Sequence, residues 1–329
     1  MHVLLSKFIY DDNIERMKKI DLITGFLGSG KTTFLKKYVK YLVGQGEKVC
    51  ILENDFGAVN VDMMLLSDLR GENCELEMVA GGCDADCHKR RFKTKLISMG
   101  MDDYTRIIVE PSGIFDVDEF FDCLYDEPLN RWYEIGSVIA IVDGGLENEL
   151  SDNTKYMLAS QVACAGKVII SKSQKYSEEQ IENVKATLKD SLNMVNCERN
   201  LANCFLDKPW DDFEEPDYEI IKNAGRVHSD YVKKLSDSGD YDAISFLKPG
   251  LDLAAAKYVI NSLMSDTDCQ TEFGDIFRIK GFVKENGSWY EINATKEETS
   301  INVIKEGQEV IIVIGEKLNK DKIKELIDN

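Results

Sequence analysis

The sequence predicts an α/β protein: a P-loop, doubly wound, mostly parallel sheet followed by a smaller α+β domain. Three observations predict it. Short apolar, β-branched runs alternate with longer helical patterns through the first two thirds of the chain. A phosphate-loop signature, Gly25-Phe26-Leu27-Gly28-Ser29-Gly30-Lys31-Thr32, falls between the first such run and the first helical pattern. After Leu206 the composition changes, and a strand–helix–strands–helix order takes over.

Residues 1–16 carry Asp11, Asp12 and Glu15 and no apolar core of signal-peptide length, so they are expected to form an N-terminal extension. The first domain is expected over 17–207. Residues 19–23 read as its first strand, and 33–43 as a helix closed by Gly44 and Gly46. Four further apolar runs, at 48–53, 106–110, 137–143 and 167–171, have the continuous character of strands buried on both faces of a parallel sheet. Residues 208–216 gather Pro209, Pro216, Trp210 and a cluster of acids, so 208–239 reads as a linker or surface crossing. The second domain is expected over 240–329. It should hold a strand at 242–247, a helix at 252–264 opening after Pro249-Gly250, and a hairpin of 275–283 with 288–293 turning at Asn286-Gly287. A strand at 309–314 stopped by Gly315 and a helix at 320–327 complete it.

Charge narrows the function. The chain has 59 acidic against 40 basic side chains, a net charge of −19, and that field repels duplex nucleic acid and anionic membranes. Its apolar runs all fall short of the roughly eighteen residues needed to span a bilayer. Nine cysteines, an odd number in a long chain with no signal peptide, read as reduced thiols and point to the cytoplasm.

The glycines of the loop, Gly25, Gly28 and Gly30, allow angles that turn successive N–H groups inward as an anion nest. Lys31 brings a point charge to the outer phosphates, and the hydroxyl of Thr32 can ligate Mg²⁺. Ser29 and Thr33 flank these groups, and the helix from Thr33 onward adds its N-terminal dipole. Two further segments lie where a nucleotide switch needs them. The strand ending in Glu110-Pro111-Ser112-Gly113 offers an acid for Mg²⁺ and a glycine N–H for the terminal phosphate. Glu53-Asn54-Asp55-Phe56-Gly57, at the end of the second strand, offers two more carboxylates, Glu53 and Asp55.

Taken together, Gly25 to Thr33, Glu53 to Gly57, Glu110 to Gly113 and Arg278-Ile279-Lys280-Gly281 resemble the CobW-like GTPases. That family includes metallochaperones and is related to the hydrogenase- and urease-maturation GTPases. The resemblance covers nearly the whole chain from Met17 onward. It implies GTP hydrolysis coupled to delivery of a transition metal, zinc or cobalt, to a client metalloprotein, and it is compatible with a homodimer.

The chain departs from the family pattern in three places. The first switch has Ala58 where an acid is usual. The guanine-reading Asn-Lys-x-Asp is here Ser171-Lys172-Ser173-Gln174. Lys172 can still cover the base plane, but Gln174 has one neutral carbonyl in place of a carboxylate, so ATP joins GTP as an expected ligand. The Cys-x-Cys-Cys motif becomes Gly82-Cys83-Asp84-Ala85-Asp86-Cys87-His88.

Two thiols four apart on a helix share a face, and thiolates at a helix start bind divalent transition metals. Cys83 and Cys87 are therefore candidate ligands, with His88 a third if the backbone there is not yet regular helix. The bland alternative is two small residues capping a loop, with His88 solvated. Lys89, Arg90, Arg91, Lys93 and Lys95 read as the charged face of that helix.

The expectation is thus a Mg²⁺-dependent nucleoside triphosphatase. Lys31 and Glu110 are its catalytic groups, and Thr32, Glu53, Asp55 and Glu110 its Mg²⁺ ligands. Two other classes stay open: a nucleotide-gated binding module for a corrinoid or other metalloenzyme, and a P-loop small-molecule kinase.

Overall fold

The computed structural model describes residues 17–55, 61–80, 85–115, 117–147, 150–233, 241–264, 272–296 and 298–328. The first sheet contains β1 (Lys18–Thr24), β2 (Val49–Asp55), β3 (Cys74–Ala80), β4 (Arg106–Pro111), β5 (Tyr133–Asp143), β6 (Lys167–Ser171) and β7 (Phe205–Leu206). Their spatial order is β3-β2-β4-β1-β5-β6-β7, and every neighbouring pair is parallel. Side chains of a strand alternate between faces, so each continuous apolar run feeds two cores. Ile107 and Val109 of β4 face one core and Ile108 the other. Val138 and Ala140 of β5 divide from Ile139 and Ile141 in the same way.

Helices cover both faces. On one side lie α1 (Lys31–Gly44), through Phe34, Leu35, Tyr38, Val39 and Leu42, and α8 (Glu215–Lys222), through Ile221. The opposite side takes α3 (Ala85–Gly100), α4 (Val117–Tyr125), α6 (Asp152–Ala163) and α7 (Glu178–Met194). The short α2 (Val61–Leu66) and α5 (Leu129–Trp132) fill connections. Each fully buried Leu, Ile or Phe here contributes about 1.5–3 kcal/mol of transfer free energy. A buried ion pair ties the amino ends of two strands: Arg106 Nη1 lies 2.7 Å from both carboxylate oxygens of Asp21, which also accepts from Tyr38 and the Ser137 N–H. That end is structural. The carboxyl ends of the strands are left for ligands.

The second sheet holds β8 (Asp242–Leu247), β9 (Asp275–Glu285), β10 (Ser288–Thr295), β11 (Thr299–Ile304) and β12 (Val310–Glu316). It is antiparallel throughout, in the order β11-β10-β9-β12-β8. The expected hairpin is present and turns at Asn286-Gly287. α9 (Leu253–Met264) and α10 (Lys320–Asp328) pack on one face. The other face, with Phe282, Val310, Ile312 and Ile314, receives Leu27 of the phosphate loop and Met64 of α2. Phe26 adds ring contacts to Tyr241 and Phe277, at 6.3 and 5.7 Å.

Strands β3, β7 and β11 are additions to the sequence expectation. Cys74–Ala80 alternates apolar residues with Glu75 and Glu77 because it is an edge strand. The segment read as a linker holds α8, opened by Pro216 and a Glu214–Asp217 capping box. Its Trp210 packs edge-on against Phe34, and the Val138 N–H donates to the Gly225 carbonyl at 2.9 Å. The described part of 208–239 therefore runs along the first sheet. Residues 1–16 lie outside the described residues.

Candidate nucleotide site

The glycine-rich loop joins β1, a central strand, to α1. Gly28 and Gly30 have φ of 76° and 92°, angles that a side chain would strain. They let the chain double back so that Gly30 caps α1 and its carbonyl accepts from the Phe34 N–H at 3.0 Å. Lys31 is buried and folds back over the loop, its ammonium donating to the Gly25 carbonyl at 3.0 Å. Ser29 is buried, and its hydroxyl has no hydrogen-bond partner among the described residues. An orphaned buried hydroxyl carries a desolvation cost that a ligand would relieve. Thr33 is exposed at the next turn.

The residues expected to hold Mg²⁺ come from three elements. Thr32 Oγ1 donates to Glu110 Oε1 at 2.8 Å, bringing the start of α1 to the end of β4. Glu53 of β2 is registered directly beside Glu110, and both carboxylates are buried. Two buried acids beside a hydroxyl form an oxygen-donor set that suits a hard divalent cation, and such a cation lowers the cost of keeping both ionised. Asp55 ends β2; residues 56–60 lie outside the described residues.

Gly113 sits directly against the loop. A β-carbon there would come within 2.7 Å of the Leu27 nitrogen and 2.9 Å of its Cα, so only glycine allows this approach. Gln161 of α6, itself buried, donates from Nε2 to the Gly113 carbonyl at 3.0 Å. The Ser112 N–H donates to the Asn54 carbonyl at 2.9 Å, linking the segments at the ends of β2 and β4. Gln161 was absent from the sequence expectation. Its available signal was a Ser160-Gln161 pair inside an otherwise apolar stretch of helix.

The residues expected to meet the base lie at the carboxyl ends of β5 and β6. Asp143 and Ser171 are registered partners, and the Lys172 ammonium lies 2.6 Å from Asp143 Oδ2. Lys172 has a left-handed backbone (φ 53°), which begins the turn carrying Ser173 and the exposed Gln174. A cleft of about 110 Å³ runs from Gly28 to Asp143, walled on its far side by Phe277, Thr295 and Lys296 of the second sheet.

The candidate transition-metal residues are only partly described. Cys83 and Asp84 lie outside the described residues. Cys87 is half-buried and His88 buried, consecutive residues in the regular helix α3. Neighbours in a helix diverge by about 100°, so the irregular turn that would aim His88 beside Cys87 is not present there. Among the described residues, no three His, Cys, Asp or Glu side chains gather as a metal site. Cys50, Cys74, Cys123, Cys164 and Cys197 are buried. Burial pushes the Cys50 thiol up to about 12 and those of Cys74 and Cys123 to about 11, so these pack as neutral small residues.

A model of the CobW/HypB/UreG nucleotide-binding domain matches residues 19–199. The zinc chaperone YjiA of Escherichia coli K12 is 27% identical over 168 residues, 49% of this chain and 51% of that protein. The zinc chaperone YeiR of the same organism is 28% identical over 166 residues, 50% of this chain and 49% of that one. This chain therefore spans about half the length of these two curated relatives. Zinc-regulated GTPase metalloprotein activator 1 of Schizosaccharomyces pombe is 22% identical over 348 residues, 92% of this chain and 83% of that protein. A crystal structure of Zn(II)-bound YjiA GTPase from E. coli aligns at a TM-score of 0.41 and 16% identity, over 94% of this chain and 98% of that one.

Proposed function

We propose that this chain, a member of the CobW/HypB/UreG nucleotide-binding family, is a Mg²⁺-dependent GTPase that couples nucleotide state to transition-metal delivery. The observation that carries the reading is Thr32 bonded to Glu110 beside a Lys31 folded over the glycine loop. Lys31 and the loop amides neutralise the β- and γ-phosphates. Thr32, with Glu53, Asp55 and Glu110, holds Mg²⁺, which when bound screens charge on the transferring phosphoryl group. Phosphoryl transfer asks the protein chiefly for positioning and charge, so no covalent nucleophile is required. Glu110 orients the attacking water, and Gly113 reports the γ-phosphate.

The cargo in this reading is zinc, on the strength of relatives named as zinc chaperones, with cobalt the alternative that the family resemblance allows. Cys83 and Cys87 are its proposed thiolate ligands, with His88 nearby in sequence. Loss of the γ-phosphate would relax the segments around residues 54–62 and 110–116, which flank Cys83 in sequence, and so release the metal. GTP is the preferred nucleotide and ATP a secondary one. Delivery to a client metalloprotein in the cytoplasm completes the proposal.

The test is turnover of GTP and ATP by purified protein with and without Mg²⁺, Zn²⁺ and Co²⁺, together with metal titration of a Cys83→Ser/Cys87→Ser variant. The expected result is Mg²⁺-dependent GTP turnover in the parent protein, and loss of tight zinc binding in the variant. Equal zinc affinity in the two proteins would remove the thiolate site. Phosphate transfer to an added small-molecule acceptor would replace the GTPase reading with a kinase.

A further inference from the structure

The base-reading motif lacks its usual carboxylate, because Gln174 stands in its fourth position. A carboxylate nevertheless stands at this loop, supplied by the second sheet. The turn between β10 and β11 is closed by the Thr295 N–H donating to the Glu298 carbonyl at 2.9 Å, and by the Glu298 N–H donating back to Thr295 Oγ1 at 3.3 Å. That turn leans on the nucleotide site. Thr295 Cγ2 is 3.0 Å from where a β-carbon on Gly28 would lie, and Lys296 lines the cleft that reaches Asp143. Lys296 is itself steadied by Asp275 at 2.9 Å. Glu298 Oε2 lies 2.7 Å from the ammonium of Lys175, the residue after Gln174.

We propose that Glu298 reads the guanine base, its carboxylate accepting from the ring N1–H and the 2-amino group in the place left by Gln174. The assignment rests on the nucleotide-site reading above and makes Glu298 of the second domain part of the base pocket. A carboxylate can accept two hydrogen bonds side by side, and guanine offers two adjacent donors where adenine offers none in that arrangement. Lys175, and more weakly Lys172, hold the Glu298 carboxyl below its usual range, so it is ionised and acceptor-only at neutral pH. Lys175 anchors one oxygen and limits the rotamers available to the chain, which orients the carboxylate before the base arrives. The same contact makes the second sheet sense whether a guanine nucleotide is present.

The test is equilibrium binding of GTP, ATP and XTP to the full chain, its Glu298→Gln and Glu298→Asp variants, and Lys31→Ala as a separate check of the phosphate grip. Glu298 is half exposed, so these substitutions leave the fold intact. Removing charge-assisted hydrogen bonds should weaken GTP by on the order of tenfold to a hundredfold in Glu298→Gln, while ATP affinity stays the same. XTP should gain in that variant, because an amide N–H can donate to the carbonyl that xanthine carries in place of the 2-amino group. Glu298→Asp should keep the preference for GTP over XTP. An unchanged GTP:ATP ratio in Glu298→Gln, with Lys31→Ala still abolishing binding, would overturn this inference and leave the phosphate site standing. Triphosphate binding as weak in the parent chain as in Lys31→Ala would overturn both.

Discussion

The two sheets are both buried on two faces, but for different reasons. The parallel sheet is enclosed by its own crossover helices, so its strands read as continuous apolar runs and its functional groups sit at one end. The antiparallel sheet has its own helices, α9 and α10, on one face only. Its second face is closed from the first domain, with Leu27 of the phosphate loop and Met64 of α2 packed against the cluster of Phe282, Val310, Ile312 and Ile314. This explains the run Val310-Ile311-Ile312-Val313-Ile314, which is continuously apolar in an antiparallel strand where alternation is the usual pattern. Such a run marks a second packed face. Here that face packs on the glycine-rich loop and α2.

Ile312 separates the two kinds of packing most sharply. Truncation to Ala at this buried position should cost about 2–5 kcal/mol, measured by urea unfolding. Val303→Ala, on the exposed outer strand, should stay within about 0.5 kcal/mol. Equal effects would mean the two sheets are not packed on one another.

Gly113→Ala attacks the loop from the opposite direction. It should lower GTP turnover by about tenfold to a hundredfold, because a β-carbon would push Leu27 and the loop out of line. Restored turnover in a Leu27→Ala background would show only a side-chain conflict, contrary to the main-chain approach of Gly113 to Leu27.

The amino-terminal end of the parallel sheet should respond to acid. Burial raises the Glu47 carboxyl, but the Thr105 hydroxyl with Lys222 and Arg106 outweighs it and leaves the group below its ordinary 4.5. A lowered folded-state value means the stabilisation is complete above 4.5 and is lost as the pH falls through the lower folded value. Glu47→Gln should therefore flatten that acid limb of a melting-temperature profile. An unchanged limb would assign it to other carboxylates.

The smallest effect is expected at the polar strap between the sheets. A double-mutant cycle on Lys175 and Glu298, both about half exposed, should give only about 0.2–1 kcal/mol of coupling. A much larger value would shift the cohesion of the two sheets from apolar packing to charge.

Much of this was legible in the sequence because the signals were local. The loop from Gly25 to Thr32 needs a strand before it and a helix after it, and both are written in adjacent residues. Asn286-Gly287 fixes its hairpin by turn chemistry alone. The edge strands β3 and β11 were harder to see, since half-exposed strands carry charged or polar residues and form only because a neighbour pairs with them. The role of Gln161 depends on a contact 48 residues away, and the Glu298–Lys175 pair spans 123. No sequence spacing encodes such meetings. They follow from how helices and sheets pack.

The grip of the loop between β1 and α1 on a triphosphate is tested most directly by titrating a fluorescent GTP analogue, with Mg²⁺ present, into the parent protein and into Lys31→Ala. Saturable binding is expected in the first and its loss in the second. Indistinguishable curves would rule out that grip.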